Sequence, residues 1–208
     1  MKQMPKINYQ LELDKTLRKI NADHIRPTLL LHSCCAPCSS YVLEYLTQYF
    51  DITVFFYNPN ISPESEYRHR AEEIRRLIAE MCPQVKLTEG AYEPEKFYAM
   101  AKGLENEPER GARCLKCYRM RMEQAAQAAK NGGFDFFTTT LSISPQKDAS
   151  VLNTIGKEIS ELYGVDYLYS DFKKRGGYQR SIELSAQFRL YRQNFCGCVF
   201  SKTQKENP

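Results

Sequence analysis

Short apolar runs alternate along the chain with longer segments of helical spacing. Five of these runs predict strands: TLLLHSC (28–34), DITVFFYNP (51–59), QVKLTEG (84–90), FDFFTTTLSISP (134–145) and VDYLYSDF (165–172). In the fourth of them the strand is expected to run into a loop. The first two are apolar almost throughout, which is typical of buried strands. Since strands that alternate with helices form a parallel sheet covered on both faces, we predict an α/β fold. It is expected to be a three-layer Rossmann-like (HUP-like) sheet of about five strands.

The segments between the strands predict helices. They are SSYVLEYLTQYF (39–50), SPESEYRHRAEEIRRLIAEM (62–81), YEPEKFYAMAKGL (92–104), RCLKCYRMRMEQAAQAAKN (113–131) and DASVLNTIGKEISELYG (148–164). Pro37 suits the first position of the first helix, and Ser62 or Ser65 is expected to cap the second. We predict one α/β domain over 1–208, with a basic helical arm (1–26) and a cysteine-bearing helical tail (172–208).

Composition and charge are those of an ordinary soluble globular protein and do not indicate a particular function. Of the 208 residues, 42% are hydrophobic and 26% are charged, and the formal net charge of +4 permits a nucleic-acid partner without requiring one. No stretch approaches the roughly 18 apolar residues of a membrane span, and the first residues lack the apolar core of a signal peptide. We therefore expect a cytoplasmic protein with no membrane association.

The eight cysteines carry most of the chemical information in this sequence. In a reducing compartment, clustered cysteines more often bind metal or perform redox chemistry than form structural disulfides. Seven of them fall into three groups: Cys34, Cys35 and Cys38; Cys114 and Cys117; Cys196 and Cys198. Cys82 stands alone and is expected to pack at the end of a helix.

The first cysteine group lies at a predicted strand-to-helix turn. Ligands of open parallel sheets bind at the carboxyl ends of the strands, so this turn is a prime position for a site. The helix that begins near Pro37 directs its amides toward Cys34 and Cys35, and we expect both thiols to ionise more easily there. Simple packing of three small apolar side chains is the alternative.

The other two groups each leave several chemistries open. Cys114 and Cys117 share one face at the start of a helix, which suits zinc, an iron–sulfur cluster or a redox dithiol. With the first group they offer four thiolates, enough for zinc or a [4Fe–4S] cluster. Cys196 and Cys198 flank a single glycine, so they can form a strained, easily reduced disulfide, bind a second metal, or be surface thiols.

Candidate substrate residues follow three of the predicted strands. The loop FKKRGGYQR carries Lys173, Lys174 and Tyr178, which can contact phosphate and stack on a base, although a solvated loop is equally compatible. Asn58 follows the second strand and Lys147 the fourth, at the edge where ligands bind.

Taken together, six stretches resemble one known family, the non-cobalamin epoxyqueuosine reductases called QueH. They are CCAPC, YNPNISP..EY, RCLKCY, TTTLSISP.K, DFKK..GY..S.ELS and LYRQNFCGC, and they extend from about Leu29 to Ser201. The resemblance implies the last step of queuosine synthesis, in which the epoxide of epoxyqueuosine in tRNA is reduced by two electrons and its oxygen leaves as water.

The resemblance also implies roles for the cysteines. By motif match, the ligands of a [4Fe–4S] cluster are Cys34, Cys35, Cys114 and Cys117. Cys196 and Cys198 correspond to a catalytic, redox-active pair. A second iron ion beside the cluster is an optional feature of this family, and Cys38 with Cys196 and Cys198 would be its ligands here.

Two other functions remain compatible with parts of the sequence. An ATP-dependent tRNA sulfurtransferase of the ATP-pyrophosphatase class shares the fold, but its phosphate loop needs glycines that the turn SCCAPCSS lacks. A zinc-stabilised RNA-binding module would also use clustered thiols. The sequence shows no flavin or nicotinamide fingerprint, so a reductase would depend on an external electron donor.

Overall fold

The computed structural model describes residues 7–201 and contains a parallel sheet of five strands in the order β3-β2-β1-β4-β5. The strands are β1 (Thr28–Ser33), β2 (Asp51–Phe56), β3 (Lys86–Glu89), β4 (Phe136–Thr139) and β5 (Asp166–Tyr167). All four pairings are parallel, and β1 in the centre pairs with β2 from Thr28 opposite Asp51 to Ser33 opposite Phe56. The predicted fold class is confirmed.

Seven α-helices accompany the sheet, and further helical residues at 199–201 end the described part of the chain. The seven are α1 (Tyr9–Ala22), α2 (Ala36–Leu46), α3 (Glu64–Met81), α4 (Pro94–Ala101), α5 (Ala112–Gly132), α6 (Ala149–Tyr163) and α7 (Gly177–Gln187). None of them is long and apolar enough to span a bilayer. The cap expected at Ser62 or Ser65 is wrong, because α3 begins after Pro63 and no side chain caps it.

Successive side chains of β1 point to opposite faces of the sheet, and helices cover both faces. Leu29 and Leu31 belong to a core shared with α1, α2 and α3, whereas Leu30 belongs to a second core shared with α5 and α6. Both sets are 3% exposed or less, as a central strand covered on both faces requires. The predicted arm of residues 1–26 therefore contains a helix that packs on the sheet, while residues 1–6 lie outside the described part.

Local hydrogen bonds set where the last two strands end. The fourth run leaves the sheet after Thr139, whose hydroxyl accepts a hydrogen bond from Leu141 N at 3.2 Å and starts a short 3₁₀ helix (Thr140–Ile143). The fifth strand is only two residues long. Its continuation turns away because Asn153 binds both backbone groups of Ser170, at 2.8 and 2.9 Å.

The connections that follow the neighbouring strands β1 and β4 lie on opposite faces of the sheet. The chain leaves β1 toward α2 on one face of the sheet, and it leaves β4 toward α6 on the opposite face. At such a switch point the carboxyl ends of the two strands open a crevice in which ligands of this fold class bind. Cys34 follows β1 at this crevice, and Thr140 follows β4.

Candidate thiol and metal site

The first cysteine group forms a compact cluster at the switch point. The Sγ atoms of Cys34, Cys35 and Cys38 all lie within 4.8 Å of one another, and those of Cys34 and Cys35 are 3.8 Å apart. Metal–sulfur bonds of about 2.3 Å in a tetrahedral site place sulfurs about 3.8 Å apart. Among residues 7–201 this is the one group of three or more such donors that is so close together. The donor set therefore fits a thiophilic metal.

The turn that carries these thiols is fixed by hydroxyl groups. Cys34 N donates to Thr140 Oγ1 at 3.4 Å across the switch point, and the Cys34 thiol lies 3.6 Å from the same oxygen. Ser39 Oγ donates to Cys35 O at 2.9 Å and lies 2.7 Å from Ser33 Oγ. Cys35 is the N-cap residue of α2 and has no side-chain capping bond, so its thiol stays available.

The three thiols do not ionise alike. Hydrogen bonds from the thiols of Cys35 and Cys38 lower the pKa of Cys34 well below its usual value, and Lys147 and Arg121 add to this effect. The same hydrogen bonding to Cys34 raises the pKa of Cys35 to about 12. The expectation that both Cys34 and Cys35 ionise easily is therefore wrong for Cys35. The Cys34 thiolate is stabilised by hydrogen bonds from the protonated thiols beside it, so those thiols keep their protons. Metal binding would have to displace those protons.

Cys114 and Cys117 lie in the first turns of α5 and do not join the compact group. Cys114 packs against the same core cluster as Cys34, and its Sγ accepts a hydrogen bond from Arg110 N at 3.3 Å. Cys117 is buried, which raises its pKa to about 12, although Arg121 opposes this rise by donating to its sulfur. The four thiols assigned to a cluster by resemblance thus face the same end of the sheet, in two separate pairs.

The third group bridges the other two. Cys198 lies in a buried cluster with Cys117, and burial raises its pKa to about 11. Cys196 lines a cavity of about 410 Å³ together with Cys34 and Cys38. Both are free thiols in the structure. One cavity therefore brings together members of two groups that are far apart in the sequence.

Positive charge dominates the walls of this cavity. The cations that line it are Arg70, Arg121, Lys147 and Arg192. Burial disfavours the charge of Lys147, but attraction to the neighbouring acidic groups, including the Cys34 thiolate, outweighs it and raises the pKa of the ammonium. Lys147, chosen from the sequence as a substrate residue, therefore lies beside the thiols and keeps its proton.

Asn58 has a different position from the one expected of a substrate contact. It is 0% exposed, its Nδ2 donates to Ser33 O at 2.9 Å, and its Oδ1 accepts from Arg121 Nη2 at 2.5 Å. It acts on the cavity through Arg121. Arg121 is not among the site residues predicted from the sequence, although its spacing of four residues from Cys117 puts both on one helix face.

The predicted substrate loop is partly neutralised by acidic side chains. Lys173 Nζ lies 2.6 Å from Asp171 Oδ1, and Arg175 is paired with Asp14 of α1. Within residues 7–201 the exposed Lys174 makes no ion pair. Tyr178 is 36% exposed and lines the cavity, so this loop meets the thiol site through the tyrosine ring.

His32 and Cys82 lie outside the three cysteine groups and have structural roles. His32 is completely buried, and its ring lies between Thr139 Oγ1 at 2.8 Å and Tyr57 O at 3.1 Å. Burial lowers its pKa to about 3, so it is neutral. Cys82 ends α3 and packs in the core, as expected.

Comparison with known proteins gives a consistent result. A family model described as epoxyqueuosine reductase QueH matches residues 29–204. The epoxyqueuosine reductase QueH of Staphylococcus epidermidis is 48% identical over 94% of this chain and 85% of its own length. The proteins of the same name from Staphylococcus aureus and Thermotoga maritima are 44% and 39% identical, over 96% and 86% of this chain and 86% and 92% of their own lengths. The chain therefore belongs to the epoxyqueuosine reductase QueH family.

Proposed function

We propose that this protein reduces epoxyqueuosine in tRNA to queuosine in the cytoplasm. The observation that carries the proposal is the cavity at the switch point, where Cys34, Cys38 and Cys196 meet beside four cations. Family membership supports the substrate, since the relatives are named for this reaction. The reaction consumes two electrons and two protons and releases the epoxide oxygen as water.

We assign the proposed [4Fe–4S] cluster to Cys34, Cys35, Cys114 and Cys117. Such a cluster supplies electrons singly from an external donor. The Sγ atom of Cys38 lies within 4.8 Å of those of Cys34 and Cys35. Cys38 is therefore either a competing ligand or, with Cys196 and Cys198, a ligand of a second iron ion. The thiolate character of Cys34 supports metal binding at this group.

The chain's own residues supply the remaining requirements. A dithiol at Cys196 and Cys198 can give up two electrons and two protons as it becomes a disulfide, which balances the loss of oxygen as water. Lys147 Nζ keeps its proton and stabilises the negative charge that develops on the oxygen when the epoxide C–O bond breaks. Tyr178 at the mouth of the cavity offers a face on which a base can stack.

The direct test is anaerobic incubation with tRNA that carries epoxyqueuosine and with a chemical reductant. Mass spectrometry of the digested nucleosides is expected to show the loss of one oxygen atom only when the protein is present. Unchanged epoxyqueuosine in the presence of reduced, metal-loaded protein would refute the proposed activity.

The ligand assignment predicts opposite results when Cys117 and Cys38 are replaced. Cys117→Ala should abolish bound iron and sulfide, whereas Cys38→Ala should retain most of both, because only Cys117 is a proposed cluster ligand. Iron, sulfide and visible absorbance would be measured after anaerobic reconstitution, with Cys82→Ala as the control for loss of a buried thiol. Loss of the cluster in Cys38→Ala and its retention in Cys117→Ala would reverse the assignment.

The different roles proposed for the cysteine groups also predict that cluster content and turnover can be lost independently. Cys196→Ser and Cys198→Ser should keep most of the cluster iron and lose turnover, because the exchangeable electron pair or the second iron site is lost. Single-turnover product formation and iron content would be measured on the same samples. If either serine variant failed to retain the cluster, these residues would have to be counted among its ligands.

The loop that carries Lys173, Lys174 and Arg175 predicts a salt effect on tRNA binding. Replacing the three by glutamine should weaken binding and lower the slope of log affinity against log salt, by up to about 0.9 per lost phosphate contact. Lys174→Gln alone should account for most of this, because Asp171 and Asp14 already neutralise the other two. Iron content should not change.

The exposed Lys157→Gln, on α6, is a control for the loss of one positive charge. Unchanged affinity and slope in the triple variant would remove this loop from the RNA interface. The contact would then have to be sought on the basic segment 1–26.

A further inference from the structure

The segment 188–198 carries Cys196 and Cys198 and contains no helix or strand. Charged side chains of α3 hold its first half. Arg76 Nη1 donates to Phe188 O at 3.0 Å, and Tyr191 N donates to Glu73 Oε2 at 2.9 Å. A segment with so few backbone hydrogen bonds of its own depends on these contacts for its order.

Arg70 holds the second half of the segment, next to the cysteines. Its side chain is 2% exposed and forms an ion pair with Glu66 at 2.7 Å. The same guanidinium donates from Nη1 to Cys196 O at 3.3 Å and lies 5.2 Å from the centre of the Phe195 ring. Glu66 also accepts a hydrogen bond from the Tyr191 hydroxyl at 3.2 Å. One buried ion pair thus contacts both ends of the stretch 191–196.

The closeness of Arg70 also helps to explain why a glycine, Gly197, lies between the two cysteines. Gly197 has φ of 106°, a conformation that side chains rarely adopt, and its carbonyl accepts from Ser62 N at 2.9 Å. A Cβ at this position would lie 3.1 Å from Arg70 Nη1 and 3.0 Å from Ile61 Cγ1. The backbone between Cys196 and Cys198 therefore lies directly against the guanidinium.

Arg70 also reaches the other side of the thiol site. It lines the same cavity as Cys34, Cys38 and Cys196. Its helix, α3, packs on α2, whose first turn contains Cys38. The guanidinium is thus fixed in the protein core and contacts the irregular segment 188–198 beside the proposed redox pair.

We propose that Arg70 is a positioning residue that holds Cys196 and Cys198 in register with the Cys34–Cys38 group. The consequence for turnover rests on the proposed function, but the positioning itself does not. Without the guanidinium, the carbonyl of Cys196 and the ring of Phe195 lose their fixed partner, and the segment samples open positions more often. The loss should lower kcat more than it raises KM, because the thiols are displaced while the rest of the cavity remains.

The test is hydrogen–deuterium exchange of the full chain, purified anaerobically, in Arg70→Met and Arg70→Lys. Amides in 191–198 should exchange about tenfold faster in Arg70→Met, since opening of a local unit governs their exchange. Arg70→Lys keeps the charge beside Glu66 but loses the planar fork, so its effect should be intermediate. Peptides from β1 should exchange as in the parent protein, which shows that the sheet is intact.

Arg68→Met is the matched control, because Arg68 lies on the same helix and pairs with Glu64 on the surface. It should leave exchange in 191–198 unchanged. If Arg70→Met does not fold, Glu66→Gln weakens the same ion pair and should accelerate exchange in the same peptides. Unchanged exchange in a folded Arg70→Met would overturn the proposal. Absence of epoxide reduction by the parent protein would refute the proposed function and leave this comparison valid.

Discussion

The Asn58 side chain connects the two chain segments that carry the paired cysteines. Its Nδ2 binds the carbonyl of Ser33, the last residue of β1, and its Oδ1 binds Arg121 of α5 at 2.5 Å. Cys34 follows Ser33 directly, and Cys117 lies one helical turn before Arg121. Loss of this amide would leave a buried carbonyl and a buried guanidinium without their partner, at a cost of about 1–3 kcal/mol for each group. The relative placement of the two thiol pairs depends on this bridge.

Charge balance explains why so polar an arrangement is stable inside the protein. Arg121 is 1% exposed, and burial alone would disfavour its charge. Attraction to Cys117 and Cys34 outweighs that effect and raises the pKa of Arg121. Arg121 in turn helps to lower the pKa of Cys34, so the site favours negative charge on the sulfur of Cys34. That is the charge state in which cysteine binds metal.

The sequence predicts the fold class and the elements that position the site, because apolar periodicity decides which residues enter a sheet or a helix. It also identifies the cysteine groups, whose short spacings are local. It does not predict contacts made between distant segments. From the sequence, Glu66 and Arg70 at i,i+4 spacing would be expected to form an ordinary surface ion pair. Only the tertiary structure shows that the segment 188–198 covers them. Likewise, the fifth strand is shortened by Asn153, a residue of the preceding helix.

Cysteines occupy the turn where proteins of this topology commonly hold phosphate on glycine-rich backbone. We propose that these thiols hold an iron–sulfur cluster for reductive chemistry. The most direct measurement is iron, acid-labile sulfide and zinc content of the anaerobically purified chain. About four iron and four sulfide per chain, with visible absorbance that reductant bleaches, is the predicted result. Stoichiometric zinc without iron or sulfide, persisting after anaerobic reconstitution with iron and sulfide, would contradict it.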